Sequence, residues 1–144
     1  MGLDDPTAKM SKSTEKQGHS LRLLDPPNVL KKSIMRATTD SLNRIAFDPV
    51  EQPGLYNLFN IYQAINGKSD EEVLAEFAGG GYGNVKKQVA EAVIAELEPI
   101  QRRYNEMAAD PGYIEQVLKE GADRVRPIAE NRLLVAQQKL GLRK

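Results

Sequence analysis

The 144-residue chain has no cysteine, no tryptophan, a single histidine and no net charge. Without cysteine there are no disulfides, no thiolate metal ligands and no thiol nucleophile, a composition that fits a reducing cytoplasm. Twenty basic residues balance twenty acidic ones. That balance excludes a strongly basic nucleic-acid coat and an acidic disordered tail as descriptions of the whole chain. Long hydrophobic runs are missing too. The longest uncharged stretch, residues 52–67, is too short to span a bilayer and carries Asn57, Asn60, Gln63 and Asn66, so no membrane association is expected. The opening Met1-Gly2-Leu3-Asp4-Asp5 has neither the basic nor the apolar region of a secretory signal. There is no GxxxxGK loop, no HExxH, no EF-hand loop and no His/Cys metal set.

What is present is enough for a folded core. A domain of about 150 residues hides roughly 70% of its unfolded surface, and one domain is the prior for this length. The zero net charge is a sum of unequal blocks. Residues 1–44 hold eight basic and five acidic residues, residues 45–131 eight and fifteen, and residues 132–144 four and none. A basic head and tail thus flank an acidic middle. Each block reads either as a solvated surface or, at the two ends, as a surface that meets something anionic such as phosphates.

Turn formers dominate residues 1–20: Asp5-Pro6-Thr7, Ser11 to Thr14 and Gly18. Ser20-Leu21-Arg22-Leu23-Leu24 is a candidate short strand. Asp25 then offers an N-cap and Pro26 the first helical position, with Leu30, Ile34 and Ala37 at helical spacing. Residues 53–66 give the clearest helix: Leu55, Leu58, Phe59, Tyr62 and Ile65 share one face, and Gly67 follows as a C-cap. Ser69 and Glu72 form a capping box ahead of a short helix to Phe77. Residues 84–109 read as one long helix with Val85, Val89, Val93, Leu97, Ile100, Tyr104 and Met107 as its stripe and Pro99 as a kink. Asp110-Pro111 stops that helix and caps the next, whose apolar residues are Ile114, Val117, Leu118, Val125, Ile128, Leu133 and Leu140, with Gly121 and Pro127 as bends. The expected fold class is all-α, an antiparallel helical bundle behind a polar, basic loop.

Few residues invite chemistry. His19 lies among polar neighbours and reads as a surface residue rather than a general base. Gly79-Gly80-Gly81-Tyr82-Gly83 follows a helix instead of a strand, which favours a C-cap and linker over a phosphate cradle. Lys9-Met10-Ser11-Lys12-Ser13 is different. It places two cations three residues apart with two hydroxyls and several backbone N–H groups, a set that can surround a polyphosphate. On chemistry alone a solvated basic loop is the better reading.

These five residues match the signature loop of class I aminoacyl-tRNA synthetases at every position. The flanks narrow the resemblance. Asp5-Pro6-Thr7, Leu21 to Leu24, Ala37-Thr38-Thr39-Asp40-Ser41, Pro53-Gly54-Leu55, Asn57-Leu58, Gly81-Tyr82-Gly83 and Pro99-Ile100-Gln101 are similar to the tryptophanyl-tRNA synthetases, in order and over nearly the whole chain. The tyrosyl enzymes share the loop, but their region after it resembles this one less.

The resemblance implies an enzyme that joins tryptophan to ATP, releases pyrophosphate and passes the tryptophanyl group to tRNA(Trp). It implies that Lys12 and Lys9 act catalytically, with Lys12 the main phosphate contact. Ser11 and Ser13 would add hydroxyl or backbone N–H contacts, and Met10 would pack the loop down. ATP is the implied substrate, with Mg2+ carried by the nucleotide, and a cytoplasmic homodimer is the implied assembly. Residues 1–24 would be the signature-loop segment closing a nucleotide-binding domain, and residues 25–144 the helical, anticodon-side domain. The nucleotide-binding fold, its His-containing ATP motif and the tryptophan pocket would lie upstream of Met1, so the chain reads as a C-terminal piece that is inactive by itself. Thr14 stands where many bacterial relatives have Asp. The alternative is a non-catalytic helical module that binds tRNA or a protein; an intact signature loop disfavours it, because such a module has no use for one.

Overall fold

A computed structural model describes residues 1–11, 13–14, 16 and 18–142. Its regular structure is five helices: α1 Pro27–Met35, α2 Pro53–Asn66, α3 Asp70–Phe77, α4 Tyr82–Ala108 and α5 Pro111–Lys139. The all-α expectation therefore holds. No strand forms among the described residues, and the candidate at residues 20–24 is irregular and ends in a turn. A strand needs a partner for its backbone groups, and here other partners take them. Asp25 N donates to Arg22 O at 3.1 Å, and Gln101 Nε2 donates to Leu23 O at 2.7 Å and Asp25 O at 3.0 Å.

The chain divides into two compact units, Met1–Gln101 and Arg102–Lys144. In the first, one core gathers Leu3, Ile34 and Ala37, Leu55, Leu58, Phe59 and Tyr62 of α2, Val73 and Phe77 of α3, and Val85, Val89, Ala90 and Val93 of α4. α2 buries the predicted stripe except Ile65, which is only partly buried, and buries Gly54 and Asn57 besides. Phe59 is fully buried and lies 5.6 Å from Phe77 and 4.9 Å from Phe47, centroid to centroid. Such aromatic contacts add to the area they hide from water.

Helix ends follow local chemistry, with shifts at α1 and at α4, which starts at Tyr82 rather than at residue 84. α2 starts with Pro53 at its first position and stops at Gly67, whose φ of +64° is the left-handed conformation of a C-cap. Before α3, Ser69 Oγ accepts from Glu72 N at 3.3 Å while Glu72 Oε2 accepts from Ser69 N at 2.8 Å, completing the capping box. α1 begins one residue later than expected. Pro26 is its N-cap and Pro27 leads the helix, so the Asp25 side chain does not cap it.

The stretch between α1 and α2 is fastened by polar contacts. Gln52 is fully buried, with Nε2 2.7 Å from Tyr82 Oη and 2.9 Å from Arg44 O. Tyr82 Oη donates to Asp40 Oδ1 at 2.6 Å. Burial first, then this bond to a carboxylate, pushes the Tyr82 phenol up. The glycine-flanked tyrosine of the sequence is thus a clasp for residues 40–52.

Gly54 shows how closely these layers meet. A Cβ there would lie 2.0 Å from the Thr38 carbonyl oxygen, a backbone atom without a rotamer to relax. Gly54→Ala is expected to lower stability by about 1–3 kcal/mol or more, read as a fall in the midpoint of chemical denaturation. A midpoint equal to wild type would show that the two backbones can part without loss.

In the second unit Asp110 Oδ1 accepts from Tyr113 N at 3.0 Å and so caps α5, as its sequence implies. α5 runs unbroken past Gly121 and Pro127 to Lys139. The sequence stripe is not a core here: α5 buries no residue, and Leu118, Val125, Ile128 and Leu140 are exposed. Within this unit only the last turns of α4 accompany α5, too few residues to cover a 29-residue helix.

Candidate functional site

Local turns build the loop that carries Lys9. Asp5 Oδ1 accepts from Thr7 N at 3.0 Å and Thr7 Oγ1 at 2.6 Å, the reason Asp, Pro and Thr follow one another here. These two bonds, the side-chain one foremost, hold the Asp5 carboxyl below the usual range. Gly2 N then donates to Ala8 O at 2.7 Å, and Leu3 N donates to His19 O at 2.9 Å. The two bonds bring the stems of residues 8–19 to one place. That place is fixed to the helices by Thr38, whose N donates to Leu3 O at 2.7 Å and whose Oγ1 donates to Asp4 O at 2.8 Å. Asn57 Nδ2 on α2 adds a bond to Met1 O at 3.1 Å.

His19 corrects its sequence reading. It is buried, not on the surface. Its Nδ1 lies 2.6 Å from Asp4 Oδ1 and its Nε2 lies 3.3 Å from Lys9 O. Both ring nitrogens face oxygen atoms. The ring is a strut between the Asp4 turn and the Lys9 peptide. The missed signal was sequence separation: Asp4 and His19 stand fifteen residues apart, beyond any local rule. The ring also accounts for Gly2, where a Cβ would come within 2.7 Å of His19 Cε1.

Of the signature residues, Met10 is partly buried and packs on the core, as expected of a residue that holds the loop down. Lys9 and Ser13 are exposed. Ser11 Oγ accepts from Ser13 N at 3.2 Å and Ser11 O from Thr14 N at 3.4 Å, so the loop itself uses the Ser13 N–H that the sequence offered to a ligand. Lys12 lies outside the described residues. The structure therefore brings Lys9, Met10, Ser11 and Ser13 onto one short loop whose stems are tied through His19 and Leu3.

Asp4 is the electrostatic anchor. Lys16 Nζ lies 2.6 Å from its Oδ2 and His19 Nδ1 2.6 Å from its Oδ1. These bonds, Lys16 first, lower its pKa to about 2. A carboxylate whose folded pKa is depressed stabilises the fold above its unfolded value of about 3.9, and that contribution is lost as pH falls toward 2. Asp4→Asn is expected to melt below wild type at pH 6, with the gap in Tm closing between about pH 4 and 2. Circular dichroism at the two pH values checks this, and a gap independent of pH would count against it.

No group of three or more potential ligands that could hold a metal occurs among the described residues. No described helix is long and apolar enough to cross a membrane.

The helical fold and the loop with its fastenings define the class, and the chain belongs to the class I tRNA synthetases of the tryptophan and tyrosine type, whose family model matches residues 1–98. The individual relatives share one specificity. The tryptophan–tRNA ligase of Wolinella succinogenes is 50% identical over 142 residues, covering 99% of this chain and 43% of that protein. The tryptophan–tRNA ligase of Helicobacter pylori strain J99 is 44% identical with the same coverage. The crystal structure of tryptophanyl-tRNA synthetase from Mycoplasma pneumoniae matches with a TM-score of 0.77 at 31% identity, over 98% of this chain and 43% of that one. This chain thus spans about 43% of the length of these relatives.

Proposed function

We propose that these residues serve a tryptophan–tRNA ligase, which activates tryptophan with ATP and transfers it to tRNA(Trp). The observation that carries the reading is 50% identity to such a ligase across 99% of the chain, signature loop included. In that reaction the tryptophan carboxylate attacks the α-phosphorus of ATP and pyrophosphate leaves. Lys9 and Lys12 bind the β- and γ-phosphates, and their charge stabilises the pyrophosphate as it departs. Mg2+ travels with the nucleotide. Ser11 and Ser13 present hydroxyls to the same phosphates, while Met10, His19 and Asp4 keep the loop stems in place. Residues 1–24 work with the nucleotide- and tryptophan-binding part of the enzyme and residues 25–144 with the anticodon side of the tRNA. The working assembly is a cytoplasmic homodimer.

A binding module without chemistry would account for the helices and leave the loop unexplained. Pyrophosphate–ATP exchange decides between the two. A complete protein carrying these residues is expected to exchange in the presence of tryptophan and not of tyrosine, and residues 1–144 alone are expected to show none. Exchange driven by tyrosine would overturn the specificity, and tryptophan-dependent exchange by residues 1–144 alone would overturn the division of labour.

A further inference from the structure

Lys86 lies on α4 beside the buried Val85, Val89 and Ala90 and is itself partly buried. Its Nζ donates to Ala37 O at 2.8 Å, across 49 residues of chain. No carboxylate pairs with it among the described residues. Burial, with no opposing charge, pushes its pKa down. An ammonium so placed gives up hydration for one neutral carbonyl, which stabilises the fold less than an apolar side chain of the same length would. The carbonyl it reaches is the one from which the loop hangs.

Ala37 O and the Thr38 N–H belong to one peptide group, and in a trans peptide they point to opposite sides. Lys86 holds the oxygen, while Thr38 N donates to Leu3 O at 2.7 Å. A cation on the oxygen polarises the group and strengthens the bond its N–H makes. From there the contacts run on to the loop. Leu3 N donates to His19 O at 2.9 Å, and Thr38 Oγ1 donates to Asp4 O at 2.8 Å. Asp4 Oδ1 meets His19 Nδ1 at 2.6 Å, and His19 Nε2 lies 3.3 Å from Lys9 O. A continuous path of polar contacts thus joins α4 to the Lys9 peptide, with Lys86 at its helical end.

We propose that Lys86 is a positioning residue for amino-acid activation: it fixes the Ala37–Thr38 peptide and, through Leu3 and Asp4, sets where the loop carries Lys9. The proposal rests on the reading of the protein as a tryptophan–tRNA ligase and adds to it a residue outside the signature loop.

The test uses a complete enzyme carrying these residues and reads tryptophan-dependent pyrophosphate–ATP exchange. Lys86→Met keeps the apolar stem and removes the donors. It is expected to lower kcat about 10-fold, within the roughly 10²-fold that a 1 Å misplacement can cost, and to leave KM for tryptophan unchanged. Lys86→Arg, which keeps a charged donor, is expected to recover most of the loss. Lys87→Met, exposed on the same helix, is expected to lose nothing. The deciding comparison is with Lys9→Ala. If Lys86 works by placing Lys9, the double variant Lys9→Ala/Lys86→Met falls well short of the product of the two single losses. A smaller folded fraction would instead multiply in full in either background. Lys86→Gln, a neutral donor on a shorter stem, is carried through the same cycle as a second variant. Full multiplication, or an unchanged kcat in Lys86→Met, overturns the positioning role and leaves the ligase reading standing. Absence of exchange in the wild type overturns the ligase reading and the positioning role with it.

Discussion

Lys12→Ala in a complete enzyme carrying these residues is expected to slow tryptophanyl-adenylate formation by about 10²–10³, the loss typical of one charge-stabilising interaction made at the transition state. ATP binding in the ground state should weaken much less. A lysine is a point charge on a flexible stem, and it can tighten on pyrophosphate only as negative charge develops there. Interactions reserved for that moment lower the barrier; those made equally to ATP do not. The Lys9 peptide is tied at its carbonyl to His19. The following turn closes on itself through Ser11. Lys9→Ala is expected to show the same pattern with a smaller factor. Pre-steady-state activation rates at saturating ATP, set against the ATP dissociation constant, make the measurement. An unchanged rate with a raised dissociation constant would assign Lys12 to ground-state binding instead.

The largest effect on stability is expected at Phe59. The ring is fully buried, stacks with Phe77 and packs tilted at 30° against Phe47. Phe59→Ala removes this ring at the junction of α2, α3 and the α1–α2 connection. A truncation of this kind costs about 3–5 kcal/mol, through reduced burial and a cavity that well-packed neighbours fill only in part. Chemical denaturation followed by circular dichroism should show the midpoint fall while wild-type signal persists at zero denaturant. Phe59→Leu should recover most of the loss, since it refills much of the volume. A loss below about 1 kcal/mol would mean that the core collapses around the gap.

Much of this architecture is local and so was legible. The Ser69–Glu72 box, the Gly67 C-cap, Pro53 at the head of α2 and the Asp110 cap are short-range rules, satisfied by groups two to four residues apart. The 3.6-residue repeat of α2 and the first half of α4 named their buried faces for the same reason. Periodicity failed where it was asked to report a neighbour. α5 carries a looser apolar stripe than α2 and buries none of it, because amphipathic spacing states which face is apolar and not what covers it.

The loop divides in the same way. Its residue types, two lysines and two serines among turn formers, were enough to mark a phosphate-binding candidate, since that chemistry resides in the side chains themselves. Its fastening was not legible. His19 meets Asp4 across fifteen residues, Thr38 meets Asp4 across thirty-four, and Asn57 meets Met1 across fifty-six. Arg22 and Arg36, whose sequence neighbourhoods read as a solvated basic head, likewise line one groove only after α1 folds back beside Ser20, Arg22 and Asp25. The sequence by itself determined the helices, the caps of α2, α3 and α5 and the chemical character of the loop, because each depends on residues close along the chain. Only the tertiary structure decided that His19 is a buried strut, that Gly54 must stay without a side chain, and that cations on α1 face cations of the preceding loop. Those outcomes depend on which distant segments meet, and chain spacing carries no record of that.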